Sequence, residues 1–176
     1  MKNKISVRRL TISAMLMAIG MLLPFLTGQI QHIGNMLLPM HLPVFVCGMI
    51  CGPWWGLAVG ALLPLVRSMV FGMPVLMPAA AAMAFELAAY GFISGFLRKR
   101  LPKTLPMLFV SLISAMLLGR LVWGLVSIPV YGLASKSFSF QIFLANGFVN
   151  AVPGMILQLI AVPAIVAALE KARLAR

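Results

Sequence analysis

Acidic residues are scarce in this chain of 176 residues, which has 2 glutamates and no aspartate against 14 lysines and arginines. Charged residues of either sign make up only 9% of the sequence, whereas soluble domains carry about 25%. Hydrophobic residues make up 62%, and a soluble fold of this size could not bury so much apolar surface. The scarcity of charge therefore excludes a soluble domain and predicts an integral membrane protein.

The excess of basic residues gives a net charge of +12, a value that would also suit a nucleic-acid-binding protein. These residues lie mostly in short stretches between long apolar runs, however, and that pattern orients a membrane protein in its bilayer. We therefore expect a lipid membrane as the partner, and no nucleic acid.

Residues that could bind a metal or form a disulfide are also few. Cys47 and Cys51 lie four apart in an apolar run, which is typical of small packing residues on one helix face. His32 and His41 flank the first predicted outer loop with no thiolate or carboxylate nearby in the sequence. The sequence therefore predicts no metal site and no cofactor.

Long apolar runs divide residues 1–176 into six predicted transmembrane helices, which we interpret as a single all-α membrane domain. A bilayer core of about 30 Å accepts helices of about 20 apolar residues. A polar stretch at residues 28–35 separates the first two helices. The predicted helices cover residues 7–27, 38–52, 54–71, 79–97, 105–131 and 138–169.

The positions of the basic residues predict that both ends lie in the cytoplasm. Four basic residues lie before or in the first turn of the first predicted helix, four join the fourth and fifth, and three follow the sixth, whereas Lys136 is alone in the opposite loops. Basic loops stay on the cytoplasmic side. An odd number of crossings would place the two terminal clusters on opposite sides, so the charges favour six helices in an N-in/C-in bundle.

Small residues spaced four apart predict close contacts between helices, because they allow two backbones to approach. The pattern occurs on the first four predicted helices. The pairs are Ala14 with Ala18, Gly48 with Gly52, Gly56 with Gly60, and Gly91 with Gly95.

Beyond the first turn of the first predicted helix, only three side chains of fixed charge lie within the predicted helices, namely Arg67, Glu86 and Arg120. A charge at the centre of the bilayer costs at least ~2.5–3.5 kcal/mol, so we expect all three to face the bundle interior. Glu86 is the only acid inside the membrane that could balance either arginine. The surplus positive charge would suit a carboxylate or phosphate on a ligand, and a purely structural ion-pair network is the alternative.

Polar groups from four predicted helices fall at one depth, roughly 10–17 Å from the outer surface at 1.5 Å per residue. The inner half contributes little beyond Gln158. This asymmetry predicts a substrate pocket that opens outward, with the tryptophan as a wall for a ring-bearing ligand and the asparagines either binding the ligand or joining helices. The predicted site consists of Arg67, Glu86, Arg120, Trp123, Asn146 and Asn150.

Several segments of the chain resemble the substrate-binding S components of energy-coupling factor (ECF) transporters. Size, six helices and orientation also fit this family over essentially the whole chain. Ala14 and Ala18 match the family's docking motif for the transmembrane coupling protein. The segments that carry the resemblance are LPMHLPV at 38–44, CGPWWGL at 51–57, PLVRS at 64–68, residues 79–95 with Glu86, and NAVPG at 150–154.

The resemblance implies a multi-pass subunit of the bacterial cell membrane that captures a water-soluble vitamin or vitamin precursor from outside. Such a subunit delivers its cargo through a transmembrane coupling protein (T component) and two ATPases of an ABC-type importer. The sequence has no Walker-type glycine loop, so ATP hydrolysis is expected in the partners and not in this chain. Lys2 stands where metal-specific members of the family have a histidine, which disfavours nickel or cobalt as cargo.

Neither the residues nor the resemblance identifies the vitamin. Pantothenate is slightly favoured because it carries one carboxylate, while a pyridoxine-type ring, folate and a hydroxymethylpyrimidine stay open. Two other classes of membrane protein predict different sequence patterns. A stand-alone secondary transporter would line both halves of the bundle with polar residues, and a membrane-embedded enzyme would need a nucleophile, a base or a metal cluster within mutual reach.

Overall fold

The computed structural model describes residues 7–27 and 36–172, and in this part of the chain the secondary structure is entirely helical. Two of the α-helices adjoin other helical turns, and a third follows a kinked turn at Leu76–Ala80. The elements are α1 (Val7–Leu22) with a 3-10 turn (Leu23–Thr27), α2 (His41–Cys51), α3 (Pro53–Phe71), α4 (Ala81–Arg100), α5 (Leu105–Leu133), α6 (Phe140–Leu144) with a π-helical turn (Ala145–Val149), and α7 (Val152–Lys171).

Each of the six predicted segments contains helix. Several of the observed helices begin or end at other residues than predicted, and the sixth segment is not one continuous α-helix. The sixth predicted helix is divided, because a π-helical turn and then two residues in turn conformation separate α6 from α7. The polar stretch at 28–35, including His32, lies outside the described residues, as do the terminal residues 1–6 and 173–176.

Five helical segments are long and apolar enough to cross a membrane, and α2 is the exception. With 11 residues, α2 spans only about 16 Å, roughly half the hydrocarbon thickness. Every residue of α2 except Leu42 is buried, so the rest of the protein encloses this helix. The count of six crossings and the N-in/C-in orientation therefore stay predictions.

Helix α4 lies at the centre of the bundle, packed against α2, α3 and α5. Glycines bring these backbones together. A Cβ atom on Gly91 would overlap the carbonyl group of Gly56 on α3, and a Cβ atom on Gly48 of α2 would overlap the carbonyl oxygen of Gly91. The close approach predicted from small-residue spacing is confirmed at these positions. Gly52 is different, since its φ of 108° serves the turn between α2 and α3 and no atom crowds it.

Helix α1 packs on α2 and α3 at the edge of the bundle, and buries only Ser13 and Gly20 among its own residues. Ala14 and Ala18 are exposed on its outer surface. On another side of the bundle, α7 packs on α2 and α5. The elements around α4 therefore enclose the core, while α1 presents most of its surface outward.

The glycine contacts predict a large effect from one added side chain. Gly91→Val should destabilise the protein by about 1–3 kcal/mol, because overpacking forces backbones apart. The measurement is thermal unfolding of the detergent-solubilised protein. Gly132→Ala is the control, since no atom lies within 4 Å of a Cβ at that position. A melting temperature for Gly91→Val equal to that of wild type would contradict the packing described here.

Candidate functional site

A buried ion pair joins α4 to α5 in the middle of the bundle. Arg120 Nη1 on α5 lies 3.2 Å from Glu86 Oε1 on α4, and both side chains are at most 5% exposed. The Tyr90 hydroxyl donates a hydrogen bond of 2.8 Å to the same carboxylate oxygen. Charged hydrogen bonds of this kind stabilise two charges that hydrocarbon would otherwise exclude.

His41 completes this arrangement from the start of α2. Its Nε2 atom lies 3.9 Å from Glu86 Oε1, and its ring centroid lies 5.4 Å from that of Tyr90. Gly119 makes room for Tyr90, because a Cβ atom at that position would overlap the tyrosine ring. Side chains of α2, α4 and α5 thus meet at one carboxylate, and we call His41, Glu86, Tyr90 and Arg120 the buried polar cluster.

The buried polar cluster leaves several hydrogen-bonding atoms without partners. Six buried side-chain nitrogen or oxygen atoms lack a hydrogen bond in the described residues, and three of them are His41 Nδ1, His41 Nε2 and Arg120 Nε. Each unsatisfied buried group costs about 1–3 kcal/mol. Such groups are few in native proteins, and each requires an explanation. The cluster therefore has three side-chain atoms whose hydrogen-bonding capacity is not used by other described residues.

Trp123 is one helical turn beyond Arg120 on α5 and is buried against aromatic rings of the segment that follows α5. Its ring centroid lies 5.5 Å from that of Phe138 and 6.0 Å from that of Phe143. Gly124 lets Phe143 approach the helix, since a Cβ atom there would press on this ring. Trp123 therefore joins α5 to α6 in the present structure, and an aromatic wall stands next to the ion pair.

Asn146 and Asn150 lie in and just after the π-helical turn, and both are exposed. The Asn150 amide nitrogen donates a hydrogen bond of 3.2 Å to the Asn146 carbonyl oxygen. The prediction that the two share a helix face is confirmed. Neither asparagine has a hydrogen bond to the buried polar cluster among the described residues, so their part in a shared substrate site stays a prediction.

Arg67 is buried near the end of α3, away from any carboxylate of the described residues. Its Nη1 atom donates to the carbonyl oxygen of Met21 at the end of α1. Its guanidinium carbon lies 5.1 Å from the ring centroid of Phe25 and 5.3 Å from that of Phe71. Aromatic faces attract cations in this geometry. Glu86 therefore neutralises Arg120 and not Arg67, and the surplus positive charge belongs to Arg67.

A second ion pair, which the sequence analysis did not predict, joins α4 to the end of α7. Arg98 Nη2 lies 2.8 Å from Glu170 Oε1 and 3.0 Å from Oε2. Arg98 is buried, and it also donates to the Thr104 carbonyl oxygen at 3.3 Å. The charge pattern of the sequence indicates only that Arg98 belongs to a basic loop. The sequence offered one indication of this pair, because Glu170 is the only acid besides Glu86 that could balance a buried arginine.

These features define a helical membrane protein that keeps charged side chains inside its bundle. Residues 8–166 match the family model described as "ECF transporter, substrate-specific component". Because this match covers most of the chain, the protein belongs to the substrate-specific components of ECF transporters. No curated protein and no solved structure matches the chain.

Membership of this family confirms the assignment made from sequence. The protein is a transmembrane, substrate-binding component of a transporter, and the family is not one of enzymes. Membership also implies a small-molecule substrate and partner modules that are embedded in the membrane. The roles of Arg67, Glu86, Arg120, Trp123, Asn146 and Asn150 in binding, and of Ala14 and Ala18 in docking, stay predictions.

The Arg98–Glu170 pair predicts a stability effect at the end of the bundle. Glu170→Gln should lower stability by about 1–3 kcal/mol, because it leaves a buried guanidinium without its counter-charge while the partly exposed glutamate limits the loss. Thermal unfolding in detergent measures the change. Lys171→Gln changes an exposed neighbour and serves as the control. Equal melting temperatures for the two variants would show that the pair contributes nothing.

Proposed function

We propose that this protein captures a water-soluble vitamin or vitamin precursor from outside the cell and binds it in the outer half of the bundle. A coupling protein and two ATPases then move the cargo inward. The observation that carries the proposal is the Glu86–Arg120 ion pair, buried between two helices and one turn from Trp123. A desolvated pair with unsatisfied neighbours is costly for a purely structural purpose.

The depth of these residues supports a pocket near the outer surface. In a six-helix, N-in/C-in arrangement, Glu86 lies in the outer half of α4 and Arg120 in the outer half of α5. The buried polar cluster and Trp123 then face the compartment from which substrate arrives. Hydrogen-bonding groups beside an aromatic wall suit a small polar molecule with a ring or a short chain.

The charges support a substrate that carries an anionic group. Arg67 has no carboxylate partner among the described residues, and its contacts are a carbonyl oxygen and two rings. A buried cation without a counter-ion favours an anion on the ligand. Pantothenate remains the slightly favoured cargo on this ground, with a pyridoxine-type compound, folate and a hydroxymethylpyrimidine as the other candidates.

The proposed function predicts that a vitamin copurifies with the wild-type protein. Mass spectrometry of small molecules released from the detergent-solubilised protein should show one such compound at near-stoichiometric level. Glu86→Gln and Arg120→Met should each lower its occupancy at least tenfold, because each removes one member of the pair and leaves the other charge uncompensated. Both variants should still be inserted in the membrane.

The matched control is Glu170→Gln, which makes the same chemical change at the other acid of the chain and should keep the ligand. The double variant Glu86→Gln/Arg120→Met removes both charges together, so it should be at least as stable as either single variant. A double variant that folds and retains wild-type occupancy would remove the ion pair from the site. Absence of any vitamin from the wild-type protein, together with no binding of added vitamins, would overturn the proposed function.

The exposed surface of α1 provides the proposed docking site for the coupling protein. Ala14 and Ala18 are exposed, one helical turn apart, and small enough for a partner helix to approach closely. Ala14→Trp and Ala18→Trp should each reduce recovery of the coupling protein in pull-downs at least tenfold, because an indole ring would hold the helices apart. Substrate occupancy should not change.

Leu125→Trp is the control for this experiment, since Leu125 is 70% exposed on α5 and lies on a different surface. It should leave complex formation intact. Normal recovery of the coupling protein with both alanine variants would remove α1 from the docking surface.

A further inference from the structure

Among the residues of the buried polar cluster, His41 has the most side-chain atoms without a partner at hydrogen-bonding distance. Both of its ring nitrogens are buried and lack a partner in the described residues. The 3.9 Å between His41 Nε2 and Glu86 Oε1 is too long for a hydrogen bond. An imidazole with no partner on either side is a costly way to fill a core position, where an apolar residue of similar size would pack without penalty.

We propose that His41 is a substrate-binding residue, and that it hydrogen-bonds uncharged hydroxyl or amide groups of the substrate together with Arg120 Nε. This inference rests on the proposed function and adds to it a residue and a class of chemical group. A neutral imidazole offers one donor and one acceptor, and Arg120 Nε–H offers a second donor. The substrate must therefore supply two acceptors and one donor in all, and because the two ring nitrogens point in diverging directions, these come from more than one of its groups.

The charge balance of the cluster decides between a neutral and an ionised guest group. Glu86 and Arg120 already neutralise each other at 3.2 Å, and Tyr90 adds a hydrogen bond and no charge. An additional ion in this enclosed place would have no counter-charge, and a buried uncompensated charge is strongly unfavourable. Hydroxyl and amide groups satisfy the same atoms without this cost. The buried polar cluster therefore binds the neutral polar part of the substrate.

The position of His41 agrees with this role. It lies in the first turn of α2, with Tyr90 of α4 against its ring. His41 Nε2 and Arg120 Nη1 of α5 lie 3.9 Å and 3.2 Å from the same oxygen of Glu86. A guest at this carboxylate can therefore contact side chains of both α2 and α5.

The test compares His41→Leu and His41→Gln with wild type in the purified full-length protein. Affinities for pantothenate, pyridoxine, folate and hydroxymethylpyrimidine are measured by isothermal titration calorimetry, and melting temperatures are measured without ligand. We expect His41→Leu to bind the cognate compound about 10- to 100-fold more weakly, because groups of the bound substrate lose their partners. His41→Gln, which keeps a donor and an acceptor, should lose less than tenfold.

The ligand-free melting temperature separates a binding role from a structural one. It should be unchanged or higher in His41→Leu, because leucine removes two unsatisfied polar atoms from the core. If an ordered water or Glu86 satisfied the imidazole, the same substitution would lower the melting temperature. Ser111→Ala is the control, since its buried hydroxyl bonds to Met107 O within its own helix, and it should keep wild-type affinity.

Each outcome bears on one of the two proposals. Wild-type affinity in His41→Leu overturns the role of His41 and leaves the proposed function intact. If wild type binds none of the four compounds and no vitamin copurifies with it, the proposed vitamin function fails. His41 is then judged by melting temperature: a decrease in His41→Leu makes it a structural residue, and an increase supports a site for a different polar guest.

Discussion

The supply of carboxylates is the constraint on which the rest of this structure depends. The chain has only 2 acids, and each of them pairs with a buried arginine. Glu86 pairs with Arg120 in the middle of the bundle, and Glu170 pairs with Arg98 at one end. Arg67 is left with a backbone carbonyl group and two aromatic rings. In the proposed function, this distribution determines where the protein accepts its substrate and which charge the substrate carries.

Close backbone packing brings the polar side chains of α2, α4 and α5 together. Because Gly56 and Gly91 let α3 and α4 touch, α4 occupies the centre of the bundle and can contact α2 and α5 as well. Glu86 and Tyr90 project from this central helix between its neighbours. The polar cluster therefore rests on rigid, tightly packed elements, which is what a binding site for a small molecule requires.

A substrate-specific component of a transporter must bind its cargo without performing chemistry on it, and the cluster suits that task. Its carboxylate is engaged by Arg120 and Tyr90, so it contributes orientation and charge balance. The π-helical turn between α6 and α7 and the ring contacts of Trp123 place a separate, less enclosed segment beside the cluster. Helices α2 to α5 thus form the tightly packed part of the proposed site, while the aromatic segment after α5 lies along one of its sides.

Location in a membrane, the six helical segments and membership of the family could be predicted from sequence, because hydropathy, loop charge and short motifs are local properties. The identity of the charged residues inside the membrane could be predicted for the same reason. Pairing could not. Helices that are apolar on all sides carry little record of which face meets which neighbour. Only the tertiary structure therefore paired Glu86 with Arg120, left Arg67 without a carboxylate among the described residues, and brought His41 to the carboxylate.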